Sequence, residues 1–140
     1  MEIKIKYLAD IEKITQLSQG DWIDLYVSED VIMNKGKFKL LPLGVAMELP
    51  HGYEAIVAPR SSTFKRYKIL MANSIGVVDE AYHGNGDMWY FPAYATENTT
   101  IAKGTRICQF RIIEHQPKIT FTEVDDLGNE DRGGIGSTGV

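Results

Sequence analysis

Alternation of apolar and polar residues with period two recurs along the chain, and it leaves little room for anything but short β-strands. Ile3, Ile5 and Tyr7 alternate with Glu2, Lys4 and Lys6. Ile23, Leu25 and Val27 alternate with Trp22, Asp24 and Tyr26. Successive side chains of a strand point to opposite faces, so this pattern lays one apolar face on a core. Further short strands are predicted over 38–41, 45–47, 53–58, 75–78, 88–95, 106–113 and 118–124. Turn signals part them at Pro50-His51-Gly52, Gly84-Asn85-Gly86, Lys103-Gly104 and Gln116-Pro117. Many short, evenly spaced strands predict an all-β sandwich or barrel. A chain of 140 residues holds one such core.

Three segments depart from the pattern. Residues 61–71 contain neither proline nor glycine, and Phe64, Tyr67, Ile69, Leu70 and Met71 do not alternate. Ser61, Ser62 or Thr63 is placed to cap a short helix there. In 8–19, Leu8, Ile11, Ile14 and Leu17 are spaced by three, which suits either a turn of helix or an irregular loop. From 128 to 140, five of thirteen residues are glycine, and Ile135 is the one large apolar residue before Val140. Such a segment buries too little surface to offset its conformational entropy. The expected division is therefore a β-domain over 1–127 and a mobile glycine-rich tail over 128–140.

Composition narrows the partners. The net charge is −4, whereas a protein that tracks a nucleic-acid backbone carries a basic excess. A small anionic ligand remains open if basic residues converge locally. No apolar run approaches the ~18 residues that span a bilayer. The alternating N-terminus lacks the apolar block of a signal peptide. Cys108 is the only cysteine, so no internal disulfide can form and a reducing, cytoplasmic setting is expected. His51, His83 and His115 are not paired at metal spacing, which disfavours zinc.

Several residues carry possible chemistry, each with a plainer alternative. Gly134-Ile135-Gly136-Ser137-Thr138-Gly139 matches GxGxxG, but a dinucleotide fingerprint must open a helix, and here Val140 ends the sequence. A floppy terminus is the plain reading. A phosphate-wrapping lid is the sharper one, with glycine N–H groups, the Ser137 and Thr138 hydroxyls and the Arg132 guanidinium as donors. Pro59-Arg60-Ser61-Ser62-Thr63 enters the short helix, where an anion is favoured, although a serine there also simply caps. Asp79 follows an apolar strand and precedes a turn. A carboxylate on so rigid a support suits a general base, and it also suits a turn-initiating aspartate. Tyr82 either stacks on a ring or fills the core. Asp24 lies across the strand from Ile23 and Leu25, and needs a partner if half-buried: an arginine, or water on a metal. Gln109, in an apolar strand, needs hydrogen bonds from the sheet or a ligand. Cys108 reads as a small buried hydrophobe.

Taken in order, five segments resemble the trimeric dUTPase family. They are Trp22-Ile23-Asp24-Leu25; Pro59-Arg60-Ser61-Ser62; Gly76 to Gly84 around Val78-Asp79, with Asn73 just before; Gly104-Thr105-Arg106-Ile107-Cys108-Gln109-Phe110; and Arg132 to Gly139. The second, third and fifth are specific, and the five together span 22–139. The resemblance implies a distorted jelly-roll β-barrel with one short helix, forming a homotrimer with active sites between subunits. It implies hydrolysis of dUTP to dUMP and pyrophosphate, which limits uracil incorporation into DNA and supplies dUMP for dTMP synthesis. Asp79 matches the base that activates water against the α-phosphorus, and Gln109 matches a group near that phosphate. Arg60, Ser61 and Ser62 match phosphate contacts. Asn73 and the hairpin backbone about Gly76, Val78 and Met88 match the uracil reader. Tyr82 matches the residue that packs under the deoxyribose and excludes a 2′-hydroxyl. Arg132, Gly136, Ser137 and Thr138 match the closing lid. Mg2+ is implied on the triphosphate, with Asp24 acting on it indirectly through water or an arginine.

The chain departs from the family at three points. Ser62 stands where glycine is usual, and His83 where arginine is frequent. Ile135 replaces the lid phenylalanine that stacks on uracil, and an aliphatic side chain offers no such face. Among Trp89-Tyr90-Phe91, alternation sets Tyr90 on the face of Met88, which makes Tyr90 the candidate substitute. The sister family on this fold, dCTP deaminase, needs a glutamate on the strand leaving the hairpin, and 88–94 contain no carboxylate. A regulatory protein using the nucleotide site as a switch is a further alternative, which nothing in the sequence requires.

Overall fold

Strands dominate the computed structural model, which describes residues 1–136. In chain order they are β1 (Lys4–Tyr7), β2 (Ile23–Tyr26), β3 (Val31–Met33), β4 (Phe38–Pro42), β5 (Val45–Glu48) and β6 (Tyr53–Pro59). The short helix α1 (Thr63–Tyr67) follows. Then come β7 (Ile69–Met71), β8 (Gly76–Val78), β9 (Tyr90–Ala95), β10 (Thr99–Ile101) and β11 (Arg106–Glu114). All recorded pairings are antiparallel. A four-stranded sheet has the order β2-β11-β6-β8 and a three-stranded sheet the order β4-β9-β7; β1 pairs with β5 and β10 with β3. The result is a jelly roll whose barrel is left unclosed. Among the described residues no helix is long and apolar enough to cross a membrane.

The alternation reports on burial as the sequence predicts. Leu25 and Val27 of the β2 region, Val45 and Met47 of β5, and Phe91, Ala93 and Ala95 of β9 all face one core. Trp89 sets its ring edge-on to Phe110 with centroids 5.3 Å apart. Its indole N–H lacks a hydrogen-bond partner among the described residues, an uncommon condition for a buried donor. One glycine shows how tightly the layers meet. At Gly44, φ is +69° and an added Cβ would stand 2.8 Å from Ser28 Cβ, so a side chain there is strained twice over.

Three expectations need correction, and one open reading is settled. Residues 118–124 form no strand: 113–136 run exposed, with Phe121 and Leu127 almost wholly in water. Strand character there has no ladder to join, and a strand without a partner leaves its backbone groups to solvent. Residues 69–71, grouped with the helical segment, instead form β7 at the edge of β9. The pattern misses β3 and β10, which are three residues each and too short for a periodicity. The segment 8–19 takes the irregular of its two readings.

Candidate functional site

Two clusters gather the residues singled out by sequence. The first lies where β2, β11 and the end of β6 meet. Register sets Gln109 opposite Asp24 on one side and Ala58 on the other. The Gln109 amide donates to the carbonyl of Pro59 at 3.2 Å, so the sheet satisfies part of its need. Asp24 holds two arginines: Oδ1 is 3.2 Å from Nε of Arg60, and Oδ2 is 3.5 Å from a terminal nitrogen of Arg106. Arg60 also donates to the carbonyl of Arg106 at 3.3 Å. Two cations thus converge on one half-buried carboxylate, leaving local positive charge in a chain of net negative charge.

A β-bulge builds this cluster. Between Arg106 and Cys108 the register against β2 slips, and Ile107 is the extra residue. Ile107 and Cys108 are consecutive and both fully buried. Burial pushes the Cys108 thiol well up, and the charge of Asp24 pushes it further the same way. Arg106 belongs to the site by geometry although strand parity gives no hint of it.

Ser61 and Ser62 stand at the entry of α1. Ser62 occupies the N-cap position, yet its hydroxyl makes no capping bond. Thr63 does the local work. Its hydroxyl accepts from the backbone N–H of Arg60 at 2.9 Å and donates to the carbonyl of Ile107 at 2.8 Å. This buried hydroxyl fastens the arginine turn to the bulge and leaves the two serine hydroxyls uncommitted to the cap.

The second cluster is the hairpin after β8. Gly76 is required by close approach: an added Cβ would lie 3.2 Å from both Met71 Cε and Val57 Cβ. Asp79 follows β8 directly, and its Oδ1 accepts the N–H of Ala81 at 2.7 Å. The carbonyl of Asp79 accepts the N–H of Tyr82 at 3.0 Å, closing a tight turn. The Tyr82 hydroxyl donates to the carbonyl of Met88 at 2.7 Å and ties the two arms together. A cavity of about 270 Å3 is lined by Val78, Asp79, Tyr82, Met88 and Tyr90. Burial raises the Tyr82 phenol, and Asp87 and Tyr90 add to the shift. Tyr90 faces outward at 41% exposure while its neighbours Trp89 and Phe91 are buried. Asn73 lies at the surface in the turn before β8, where its carbonyl accepts the N–H of Ile75 at 2.7 Å.

Within one chain the two clusters do not meet. Val78 is opposite Ala55, near the start of β6, whereas Arg60 follows Pro59 at its end. Four residues of strand separate those points, roughly 13 Å at about 3.3 Å per residue. Arg132 and Gly136 lie on the exposed tail, away from both clusters' hydrogen bonds. Ser137 and Thr138 lie outside the described residues.

Comparison with known proteins bears on this arrangement. The family model described as dUTPase matches residues 10–139. The chain is 59% identical, over 100% of its own length and 99% of the relative's, to an SPbeta prophage-derived deoxyuridine 5'-triphosphate nucleotidohydrolase of Bacillus subtilis (strain 168). It is 34% identical to a deoxyuridine 5'-triphosphate nucleotidohydrolase of Thermoanaerobacter sp. (strain X514), covering 99% and 97% of the two chains. Among solved structures, a Staphylococcus bacteriophage 80alpha dUTPase mutant with dUpNHpp superposes with a TM-score of 0.80 at 17% identity, covering 99% of each chain. A mutant dUTPase from phage phi11 of S. aureus, described with a structural Mg(II) ion, gives 0.78 at 13% identity and covers 91% of this chain and 99% of its own. At such identities the likeness speaks for the fold alone.

Proposed function

This chain belongs to the dUTPase family, and from that membership we infer that it hydrolyses dUTP to dUMP and pyrophosphate. The observation that carries the chemistry is the placement of Asp79. It directly follows an edge strand, lines the hairpin cavity beside Tyr82, Met88 and Tyr90, and has one carboxylate oxygen held by the N–H of Ala81. Its other oxygen takes the proton of a water molecule. That water attacks the α-phosphorus, the bond from this phosphorus to its bridging oxygen breaks, and pyrophosphate leaves with the electron pair. Proximity of a fixed base to water and substrate supplies much of the rate.

The hairpin cavity takes the uracil and deoxyribose. Backbone N–H and C=O groups there present a donor and acceptor pattern that suits uracil and leaves cytosine mismatched. Tyr82 packs against the sugar, its ring held by the bond to Met88. Tyr90 supplies an aromatic face that Ile135 lacks. Arg60, Ser61, Ser62 and Gln109 receive the phosphates. The tail from Arg132 onward, including Gly136, Ser137 and Thr138, closes over them.

Separation of the two clusters along β6 supports assembly as a homotrimer, in which the hairpin of one subunit meets the arginine cluster of another. Exposed Phe38, Leu40, Leu70 and Tyr94 share one face of the three-stranded sheet, and add apolar surface available for assembly.

Mg2+ fits this site as a companion of the substrate rather than as a protein-caged ion. Among the described residues no three His, Cys, Asp or Glu side chains gather to hold a metal. Both oxygens of Asp24 face arginines, so its influence on the ion passes through water or through those side chains. Magnesium bound by a triphosphate keeps much of its water and offsets phosphate charge.

The test is pyrophosphate release from dUTP with magnesium, beside dCTP, dTTP and UTP. Release from dUTP alone establishes the reaction and both specificities. No release from a folded protein overturns the proposal.

A further inference from the structure

We infer that Glu80 is a positioning residue for the general base, clamping the chain immediately after Asp79 to the turn at Gly52 and to the root of the C-terminal tail. This rests on the reading of Asp79 given above. The β6–β8 ladder ends at the pair Ala55 and Val78. The next firm attachment is at Trp89, whose N–H donates to the carbonyl of Val45 at 2.9 Å. Between these points the hairpin is held mostly by itself. Ala81 donates to Asp79, Tyr82 to Asp79 and to Met88, and Gly84 to Asp87. Such bonds set the shape of the turn but not its place against the sheet.

Glu80 supplies that placement. Its Oε1 accepts the backbone N–H of Gly52 at 3.2 Å and lies 2.8 Å from Nδ1 of His51. Its Oε2 is 3.6 Å from Nε2 of His115. Among the described residues, and beyond the strand ladders, these are the only hydrogen bonds and ion pairs that join 79–88 to the rest of the chain. The anchors are themselves joined, because the N–H of His115 donates to the carbonyl of Gly52 at 2.9 Å. Glu80 therefore docks on a pre-formed platform. The carboxylate is one-quarter exposed while Asp79 and Ala81 on either side are open to solvent. A second cavity of about 490 Å3, which Asp79 also lines, surrounds this clamp. The ionisable groups facing it are Glu48, His51, Asp79, Glu80, His83 and His115.

A base displaced by a fraction of an ångström still binds nearby substrate but delivers its proton transfer poorly. Loss of the clamp therefore lowers turnover more than it weakens binding. The experiment compares wild type, Glu80→Ala and Glu80→Gln for dUTP turnover, with melting temperature measured alongside. The expected result is a kcat for Glu80→Ala lower by on the order of 10-fold, with KM within about 2-fold of wild type. Glu80→Gln keeps an acceptor for Gly52 and recovers most of the lost kcat. Equal kcat in Glu80→Ala and wild type overturns the inference. So does a loss of kcat that follows a fall in melting temperature and is not recovered by Glu80→Gln. A wild-type chain that releases no pyrophosphate instead overturns the reading of Asp79, and the inference with it.

Discussion

Asp24 holds Arg60 side-on, with Oδ1 3.2 Å from Nε, and holds Arg106 with its other oxygen at 3.5 Å. The acid thus aims two guanidinium groups rather than neutralising a single one. With Asp24→Asn the side chain keeps its shape but loses its charge, and both arginines gain freedom. We expect kcat/KM for dUTP to fall roughly 10-fold, mostly through KM, because the phosphate grip is disordered before the chemistry is touched. Steady-state kinetics with the folded variant checks this.

Asp79→Asn removes the base and preserves size. We expect kcat to fall by at least ~10²-fold with little change in nucleotide affinity. Mixing this variant with Arg60→Ala after subunit exchange should restore part of the activity, since each intact cluster then meets its complement across an interface. Activity no higher than that of the two variants apart would refute the shared site.

Tyr90 is exposed at the rim of the hairpin cavity although its neighbours are core residues. Tyr90→Leu should raise KM for dUTP several-fold and leave the fold intact, a stacking contact being worth about 0.5–1.5 kcal/mol. Unchanged kinetics would return the stacking role to another residue.

Acid should loosen the Glu80 clamp. Burial pushes this carboxyl up from its ordinary 4.5, but the N–H of Gly52 and the two histidines outweigh burial and hold it lower. A depressed folded value means that the contribution is present above 4.5 and is lost as the pH falls through the folded value. Below pH 4.5 the melting temperature of wild type should therefore fall more steeply than that of Glu80→Gln. Parallel curves would show that the ionised clamp does not stabilise the fold.

How much of this was legible in sequence varies from one residue to the next. A core strand such as β9 was readable because it alternates over a buried face. Tyr90 was readable for the same reason. Arg106 was not, because the bulge at Ile107 alters parity and no local pattern announces it. Nor was Glu80: its partners His51 and His115 come from turns and strand ends far apart in sequence, and only the β6–β11 pairing brings them together. Thr63 looked like one of three interchangeable cap candidates. Its choice of the Ile107 carbonyl depends on a strand that comes 44 residues later.

Strand β11 carries a consequence for how this chain can vary. On one face it supplies Phe110 to the core, and on the other it supplies Gln109 to the phosphate cluster, while it pairs with β2 and β6 at once. Sliding it by one residue would exchange Gln109 for a neighbouring apolar side chain and thrust an amide among Leu25, Val57 and Trp89. The core thereby acts as the proofreader of the site: beyond the bulge at Ile107, an insertion or deletion in this strand cannot move Gln109 without also displacing Phe110 from the core. The stretch 116–127, exposed throughout, carries no such penalty, and length changes should collect there.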